Sequence, residues 1–176
     1  MWRAIPGLLF LLLCILFLWA LEYKNIPSVA RERLMEKPAP ALQAVGLEGN
    51  AGVSDFTQTP LPKPVFISFF ASWCTPCLVE HPLITKLRKE QPITAIGIGF
   101  GDKRENITAW LKEHGNPYDY VALDESSKTS VEFGLKGVPE SFLIDRRGIV
   151  RFAHRGVLTP EDIKNKLIPL IQKYAK

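Results

Sequence analysis

The sequence predicts an α/β fold in which a central mixed β-sheet is flanked by helices. Two apolar, β-rich runs at 65–70 and 94–100 are joined by a segment whose apolar residues recur at helical spacing. Such a βαβ crossover implies parallel strands. Two further apolar runs, 141–144 and 149–152, are separated by the turn sequence 145–148 and predict an antiparallel hairpin. Together these elements give a mixed sheet with helices on both faces.

The remaining elements follow from local signals. Short apolar pieces separated by glycine and proline at 41–64 predict a β-hairpin and a loop before the first central strand. A short strand is expected at 120–123 and helices at 102–114 and 126–133. The last helix should begin at Thr159, since threonine is a preferred N-cap and the proline that follows suits the first helical position.

The N-terminal segment is strongly apolar. Residues 4–21 carry no charge and as a helix would span about 27 Å, close to the hydrocarbon thickness of a bilayer. A cleaved signal peptide is the alternative, with small residues at 28–30, but that site lies far beyond the apolar run. We therefore expect an N-terminal transmembrane anchor at 1–22, a linker at 23–37 and the folded domain at 38–176.

Composition limits the function classes. The chain has 176 residues and a formal net charge of +4, which suits one domain of ordinary size with an appendage. Basic residues are interspersed with acidic ones, and the sequence has neither an arginine-rich arm nor an aromatic nucleic-acid motif. Nucleic-acid binding is therefore not expected.

Two cysteines mark the predicted boundary between the first central strand and the helix after it. Cys74 falls at the helix N-terminus, where unpaired amides and the helix dipole stabilise a thiolate. Cys77 is within reach of it in one short turn, so the pair can cycle between dithiol and disulfide with another protein's thiols as partner. The third cysteine, Cys14, lies in the apolar segment as a small filler, which leaves the domain no structural disulfide.

Metal binding is the competing interpretation of the two thiols. A structural zinc site needs two more ligands, but the sequence has no second Cys-x-x-Cys, and His81, His114 and His154 are scattered. A Cu(I) carrier that uses Cys74 and Cys77 as soft ligands stays open. No metal site is predicted.

Several motifs resemble known families. The sequence Trp-Cys-Thr-Pro-Cys at 73–77, Pro82, and Val138-Pro139 before a strand resemble the thioredoxin family, in which the later proline is cis. More narrowly, 70–82 and 134–145 resemble the DsbE/CcmG family of membrane-anchored thiol:disulfide interchange proteins, which act in cytochrome c maturation. The similarity extends over roughly residues 38–174.

The resemblance implies a thioredoxin-like fold and a disulfide reductase with no cofactor other than the Cys74–Cys77 disulfide. Cys74 would attack a disulfide of apocytochrome c, Cys77 would release the reduced product, and a DsbD-type membrane protein would return electrons. The implied location is the bacterial inner membrane, as a single-pass protein with its domain in the periplasm. A reductant of metal-site cysteines similar to the TlpA branch would share these features.

The resemblance also implies further site residues. These are Trp73 for the contact surface, Glu80 and Glu140 as active-site acids, Pro139 to bring the backbone of Val138 alongside the thiols, and Thr75, Pro76 and Val138 for substrate contact. If both acids approach the thiols, their charge opposes thiolate formation and favours a reducing pair. Ser68 occupies the place of the buried acid of ordinary thioredoxins, which puts a proton relay copied from them in doubt.

Overall fold

The computed structural model describes residues 5–22, 33–47 and 61–175 of the chain. It shows a thioredoxin-like α/β fold with a six-stranded mixed sheet flanked by helices. The strands are β1 Val45–Gly46, β2 Val65–Phe70, β3 Thr94–Phe100, β4 Tyr120–Asp124, β5 Glu140–Ile144 and β6 Val150–Arg155. The helices are α1 Ile5–Glu22, α2 Thr75–Glu90, α3 Arg104–His114, α4 Lys128–Glu132 and α5 at 160–174, which contains a π-helical stretch at Ile163–Leu167.

The sheet order is β1-β4-β3-β2-β5-β6. Strands β2, β3 and β4 are parallel neighbours, whereas β5 pairs antiparallel with both β2 and β6. β2 is central and all of its six residues are buried, as expected for a strand covered on both faces. The predicted βαβ unit and the predicted antiparallel hairpin are confirmed.

Alternation along the strands separates two buried clusters. The first contains Phe66, Phe70 and Leu143 together with both Cys74 and Cys77, and we call this side of the sheet the thiol face. Helices α2, α3 and α5 cover it. The opposite side is covered by α4 and by a segment at 33–44, which we call the strap, and this side is the strap face.

The strap lies against the first residue of β6. Its backbone exchanges hydrogen bonds with Val150, through the Glu36 amide and the Lys37 carbonyl, and the Ala39 amide donates to the Gly148 carbonyl. Leu34, Met35, Ala39, Leu42 and Ala44 pack against the buried cluster of the strap face. The strap therefore closes that face without a regular helix.

The predicted hairpin at 41–64 is wrong where the structure describes the segment. Val45–Gly46 forms a two-residue strand, but it pairs with the distant strand β4 and not with a neighbouring hairpin strand. Val45, for example, lies opposite Leu123. Residues 48–60 lie outside the described residues. Local turn signals predicted a strand here but carried no information about its distant partner.

The N-terminal prediction needs correction. Within the part of the chain that the structure describes, no helix combines the length and apolar character needed to cross a membrane. α1 is an 18-residue helix that ends at Glu22. The predicted transmembrane helix is not shown, and the predicted location as a single-pass inner-membrane protein with a periplasmic domain is overturned. The alternative cleavage site at 28–30 lies outside the described residues.

Candidate functional site

The two cysteines form a disulfide at the start of α2. Cys74 is the N-cap residue, and its Sγ accepts a hydrogen bond from the Cys77 amide at 3.1 Å. The Pro76 ring suits the first turn of the helix, where an amide hydrogen would have no partner. Cys74 Sγ therefore lies where the helix amides and dipole favour negative charge, as the sequence predicted.

Exposure does not distinguish the two thiols in this oxidised form. Cys74 and Cys77 are each 3% exposed. The disulfide state therefore does not combine an exposed Cys74 with a buried Cys77. What does distinguish them is the position of Cys74 at the N-cap and of Cys77 inside the first helical turn.

The exposed side chains of the Cys-x-x-Cys motif and the first turn of α2 carry no charge. Trp73 is 59% exposed, and Thr75 and Pro76 are exposed beside it. Leu78 and Val79, which follow on α2, are also exposed. A protein segment carrying a disulfide can contact this surface without desolvating a charged side chain.

The orientation of Trp73 is set by the loop after β3, which the sequence did not indicate. Its indole Nε1 donates to the Gly101 carbonyl at 3.2 Å, and the Ser72 amide donates to Asp102 Oδ2 at 2.7 Å. Burial would raise the pKa of Asp102, but hydrogen bonds from Ser72, Asn106 and Lys103 outweigh it and lower that pKa. An ionised Asp102 thus anchors the Cys-x-x-Cys loop, although sequence spacing gave no signal for this contact.

The Val138–Pro139 peptide bond is cis, and Pro139 is buried. Val138 packs against both buried clusters, one of which contains the two cysteines. The segment therefore packs against the buried cluster that contains the disulfide and leads directly into β5.

Glu80 lies on the thiol face. It follows Cys77 by three residues on α2, both side chains are buried, and this spacing puts them on the same side of the helix. Glu80 Oε2 accepts from the Leu158 amide at 2.9 Å, whereas Oε1 has no hydrogen bond. Burial raises the pKa of Glu80 to about 7, against the lowering effect of the Leu158 amide and the Ser68 hydroxyl.

Glu140 does not share this environment. It alternates with Ser141 along β5 and lies on the strap face with Phe142, away from the cysteines. Its Oε1 accepts from Arg155 Nε at 2.8 Å and from the Lys136 amide at 2.9 Å. The structure therefore brings Glu80 to the side of the thiols and leaves Glu140 on the other side of the sheet, in an ion pair.

Across residues 5–22, 33–47 and 61–175, no group of three His, Cys, Asp or Glu side chains is arranged to hold a metal ion. Of the three histidines, His81 is buried against the Trp110 ring at 4.6 Å, and its Nε2 pairs with the Gly115 carbonyl. Burial lowers the pKa of His81, and its contacts tie α2 to α3.

Comparisons with known proteins agree with the fold and the disulfide. Residues 36–167 match the redoxin family model. The chain is 33% identical over 175 residues to the thiol:disulfide interchange protein DsbE of Escherichia coli K12, covering 98% of this chain and 94% of that protein. It is 35% identical over 173 residues to the DsbE of Pasteurella multocida, covering 96% of this chain and 93% of that protein.

Solved structures give the same picture. A crystal structure of a thiol:disulfide interchange protein DsbE from Chlorobium tepidum is 28% identical, with a TM-score of 0.65 over 78% of this chain and 97% of that chain. A structure of DsbF from Mycobacterium tuberculosis, at 20% identity and a TM-score of 0.64 over 74% of this chain and 95% of that one, shares the fold. The chain is a thiol:disulfide oxidoreductase, and it belongs to the DsbE family of thiol:disulfide interchange proteins.

Proposed function

We propose that this oxidoreductase reduces disulfides formed by the haem-attachment cysteines of apocytochrome c, with a DsbD-type protein as its electron donor. The resemblance of 70–82 and 134–145 to the DsbE/CcmG family supports the substrate class. The observation that carries the proposal is the Cys74–Cys77 disulfide at the N-terminus of α2, bordered by the exposed and uncharged side chains of Trp73, Thr75 and Pro76.

The reaction uses the reduced form of the pair. The Cys74 thiolate attacks one sulfur of the substrate disulfide, which forms a mixed disulfide and releases the other substrate sulfur as a thiolate. Cys77, as a thiolate, then attacks Cys74 Sγ, which restores the intramolecular disulfide and releases the second substrate thiolate. Two electrons pass from the dithiol to the substrate, and the donor protein returns them by the reverse exchange.

Glu80 is the proposed proton acceptor for Cys77. Thiol attack requires the thiolate, and a buried thiol keeps its proton unless a base is close. Glu80 is buried on the same side of α2, and its pKa of about 7 lets it both take and release a proton near neutral pH. It passes the proton back when Cys77 leaves as a thiolate during reduction by the donor.

The substrate segment is proposed to lie across Trp73, Thr75 and Pro76 and to pair with the backbone of Val138. Support comes from the exposure of the first three side chains and from the position of Val138 before the buried cis Pro139. Extended pairing of this kind gives affinity through main-chain hydrogen bonds, so many sequences can bind. The disulfide in the bound segment then selects the substrate.

Trapping tests the proposal. The Cys77→Ala chain, expressed in cells that mature c-type cytochromes, cannot resolve its mixed disulfides, so partners stay attached to Cys74. Mass spectrometry of the trapped species should find peptides with haem-attachment cysteines. The matched Cys74→Ala chain should trap none of them. Recovery of only non-cytochrome proteins, or of equal amounts with both variants, would refute the proposed substrate.

A further inference from the structure

Two serines face each other inside the otherwise apolar thiol face. Ser68 on β2 and Ser141 on β5 are paired in register, and both are fully buried. Their strand neighbours on this face are Phe66, Phe70 and Leu143. A buried hydroxyl among apolar side chains destabilises the fold unless it finds a partner, so each of these serines needs an explanation.

The two serines differ in their partners. Ser68 Oγ accepts from the Tyr118 hydroxyl at 3.5 Å, whereas Ser141 Oγ has no hydrogen bond. Tyr118 is held firmly, since its ring stacks on Phe70 with centroids 5.2 Å apart. A Cβ at Gly97 would lie 2.5 Å from the same ring, so glycine there makes room for it. The Tyr118 hydroxyl is thereby fixed in its direction towards Ser68.

A hydroxyl that accepts one hydrogen bond still has its own hydrogen to donate. Ser68 and Glu80 are both buried on the thiol face, and the Ser68 hydroxyl lowers the pKa of that carboxyl. Among the described residues, Glu80 Oε1 is buried and has no hydrogen-bond partner. Ser68 can therefore accept from Tyr118 and still donate to a carboxylate oxygen on the same face.

We propose that Tyr118 and Ser68 form a hydroxyl chain that donates to Glu80 Oε1 when this carboxyl is ionised and so sets the pH at which Glu80 accepts a proton from Cys77. The inference rests on the proposed role of Glu80 in thiol exchange. Both hydroxyls keep their own protons, and only the Cys77 proton moves. Because they act through Glu80, Tyr118 and Ser68 are positioning residues.

The physical basis is selective stabilisation of one protonation state. A hydrogen bond to a carboxylate favours its charged form, and one to an ionised group is stronger than one between neutral groups. Without Ser68, Glu80 would hold its proton at neutral pH and could not accept another. Tyr118 acts one step further away by polarising Ser68, so its effect is smaller.

The first experiment is a carbon-13 NMR titration of the Glu80 carboxyl in the full chain in its disulfide form, with the signal assigned from Glu80→Gln. Ser68→Ala should raise the pKa of Glu80 by about 1, and Tyr118→Phe by less. Ser68→Thr keeps the hydroxyl and should retain the parent value. Tyr118→Phe removes a single oxygen, so it carries the test if Ser68→Ala does not fold.

Ser141→Ala is the matched control. It makes the same chemical change on the same face, opposite Ser68, but removes a hydroxyl that has no hydrogen bond. The Glu80 titration should stay unchanged. Parent-like titrations in both Ser68→Ala and Tyr118→Phe would overturn the chain, as would an equal shift in Ser141→Ala, which would mean that any loss of local polarity suffices.

A second measurement separates the chain from the role of Glu80. In the reduced protein, Ser68→Ala should shift the pH profile of the disulfide-exchange rate to higher pH by the same amount as it shifts the Glu80 titration. In a Glu80→Gln background, Ser68→Ala should cause no shift of this profile. If Glu80→Gln itself leaves the profile unchanged, proton transfer to Glu80 is refuted. If Glu80→Gln moves the profile but Ser68→Ala shifts neither measurement, only the hydroxyl chain is refuted.

Discussion

Glu80 on the thiol face and Glu140 on the strap face are buried to a similar extent, at 1% and 4% exposed, yet their carboxyls are held in different ways. Glu140 pairs with the guanidinium of Arg155, its register partner on β6, and also accepts from the Lys136 amide. Among the residues that the structure describes, Glu80 accepts a hydrogen bond from one backbone amide and forms no ion pair with a cation. Its other carboxylate oxygen has no hydrogen bond.

The difference shows that burial alone does not decide what a glutamate does. An ion pair compensates the buried charge of Glu140, so that carboxyl acts as a structural link between β5 and β6. The uncompensated burial of Glu80 raises its pKa to about 7, where a group exchanges protons readily. Proton exchange is therefore expected on the thiol face and structural pairing on the strap face.

The faces also differ in how β3 is packed. Ile96 and Ile98 point to the strap face, while Gly97 and Gly99 point to the thiol face. A Cβ at either glycine would meet a side chain within 3 Å, Tyr118 at one and Leu123 at the other. On the thiol face the space above β3 is thus filled by residues from the segment after α3 and from β4.

The largest expected effect is on the pH dependence of stability. Folding raises the pKa of Glu80 from 4.5 to about 7, so its stabilising contribution is complete below about pH 4.5 and is lost as the pH rises through 7. The loss should be about 3 kcal/mol in the free energy of unfolding. The difference between the parent and Glu80→Gln in urea unfolding of the disulfide form between pH 4.5 and 8 measures it, because the lowered pKa of His81 gives an opposite slope in the same window.

Other carboxyls do not obscure this result. The pKa values of Asp102 and Asp119 are lowered, so their contributions are lost at more acidic pH, below the window of Glu80. A parent and a Glu80→Gln variant with the same slope between pH 4.5 and 7 would contradict the contrast between the two faces.

The second effect tests packing on the thiol face. Gly97→Ala should reduce the free energy of unfolding by about 2 to 3 kcal/mol, because the new Cβ would displace the Tyr118 ring that is stacked on Phe70. Thermal or urea denaturation measures the change. Gly137→Ala is the matched control, since a Cβ there meets nothing within 4 Å, and it should change stability by less than about 0.5 kcal/mol. Equal effects of the two substitutions would show that Tyr118 is not confined.

The third effect tests pairing on the strap face. Arg155→Met should cost about 2 kcal/mol of stability, because it leaves the buried Glu140 carboxylate with only the Lys136 amide as partner. Adding Glu140→Gln to Arg155→Met should restore most of this loss, which urea denaturation of the single and double variants would reveal. If the double variant is no more stable than Arg155→Met alone, the cost does not come from an unpaired charge.

The smallest effect concerns the redox potential. Glu80→Gln removes a partly ionised carboxyl from the side of the thiols, which should ease thiolate formation and make the pair more oxidising by about 30 mV, or roughly 1.4 kcal/mol. Glu140→Gln should change the potential by less than about 10 mV, since its charge is paired on the other face. Equilibration with glutathione measures both. Equal shifts would favour the original expectation that both acids act on the thiols.

The sequence predicted the parts of the fold that depend on local patterns. Apolar runs identified β2 and β3, and the end of β2 followed by helical periodicity placed Cys74 at a helix N-cap, as the structure confirms. Thr159 caps α5 through a reciprocal pair of hydrogen bonds with Asp162, as its position before Pro160 indicated. The resemblance in 70–82 and 134–145 also identified the family.

By itself, then, the sequence determined the strands, the helix starts and the thiol pair, because hydrophobic period, capping and spacing act over a few residues. Only the tertiary structure decided that Glu140 lies across the sheet from the thiols, since the side that a strand residue takes depends on where the strand enters the sheet. It also decided that β1 pairs with β4 and that Tyr118 reaches Ser68, 50 residues away. Such contacts between distant segments leave no trace in local periodicity, because each joins residues that are far apart in the chain.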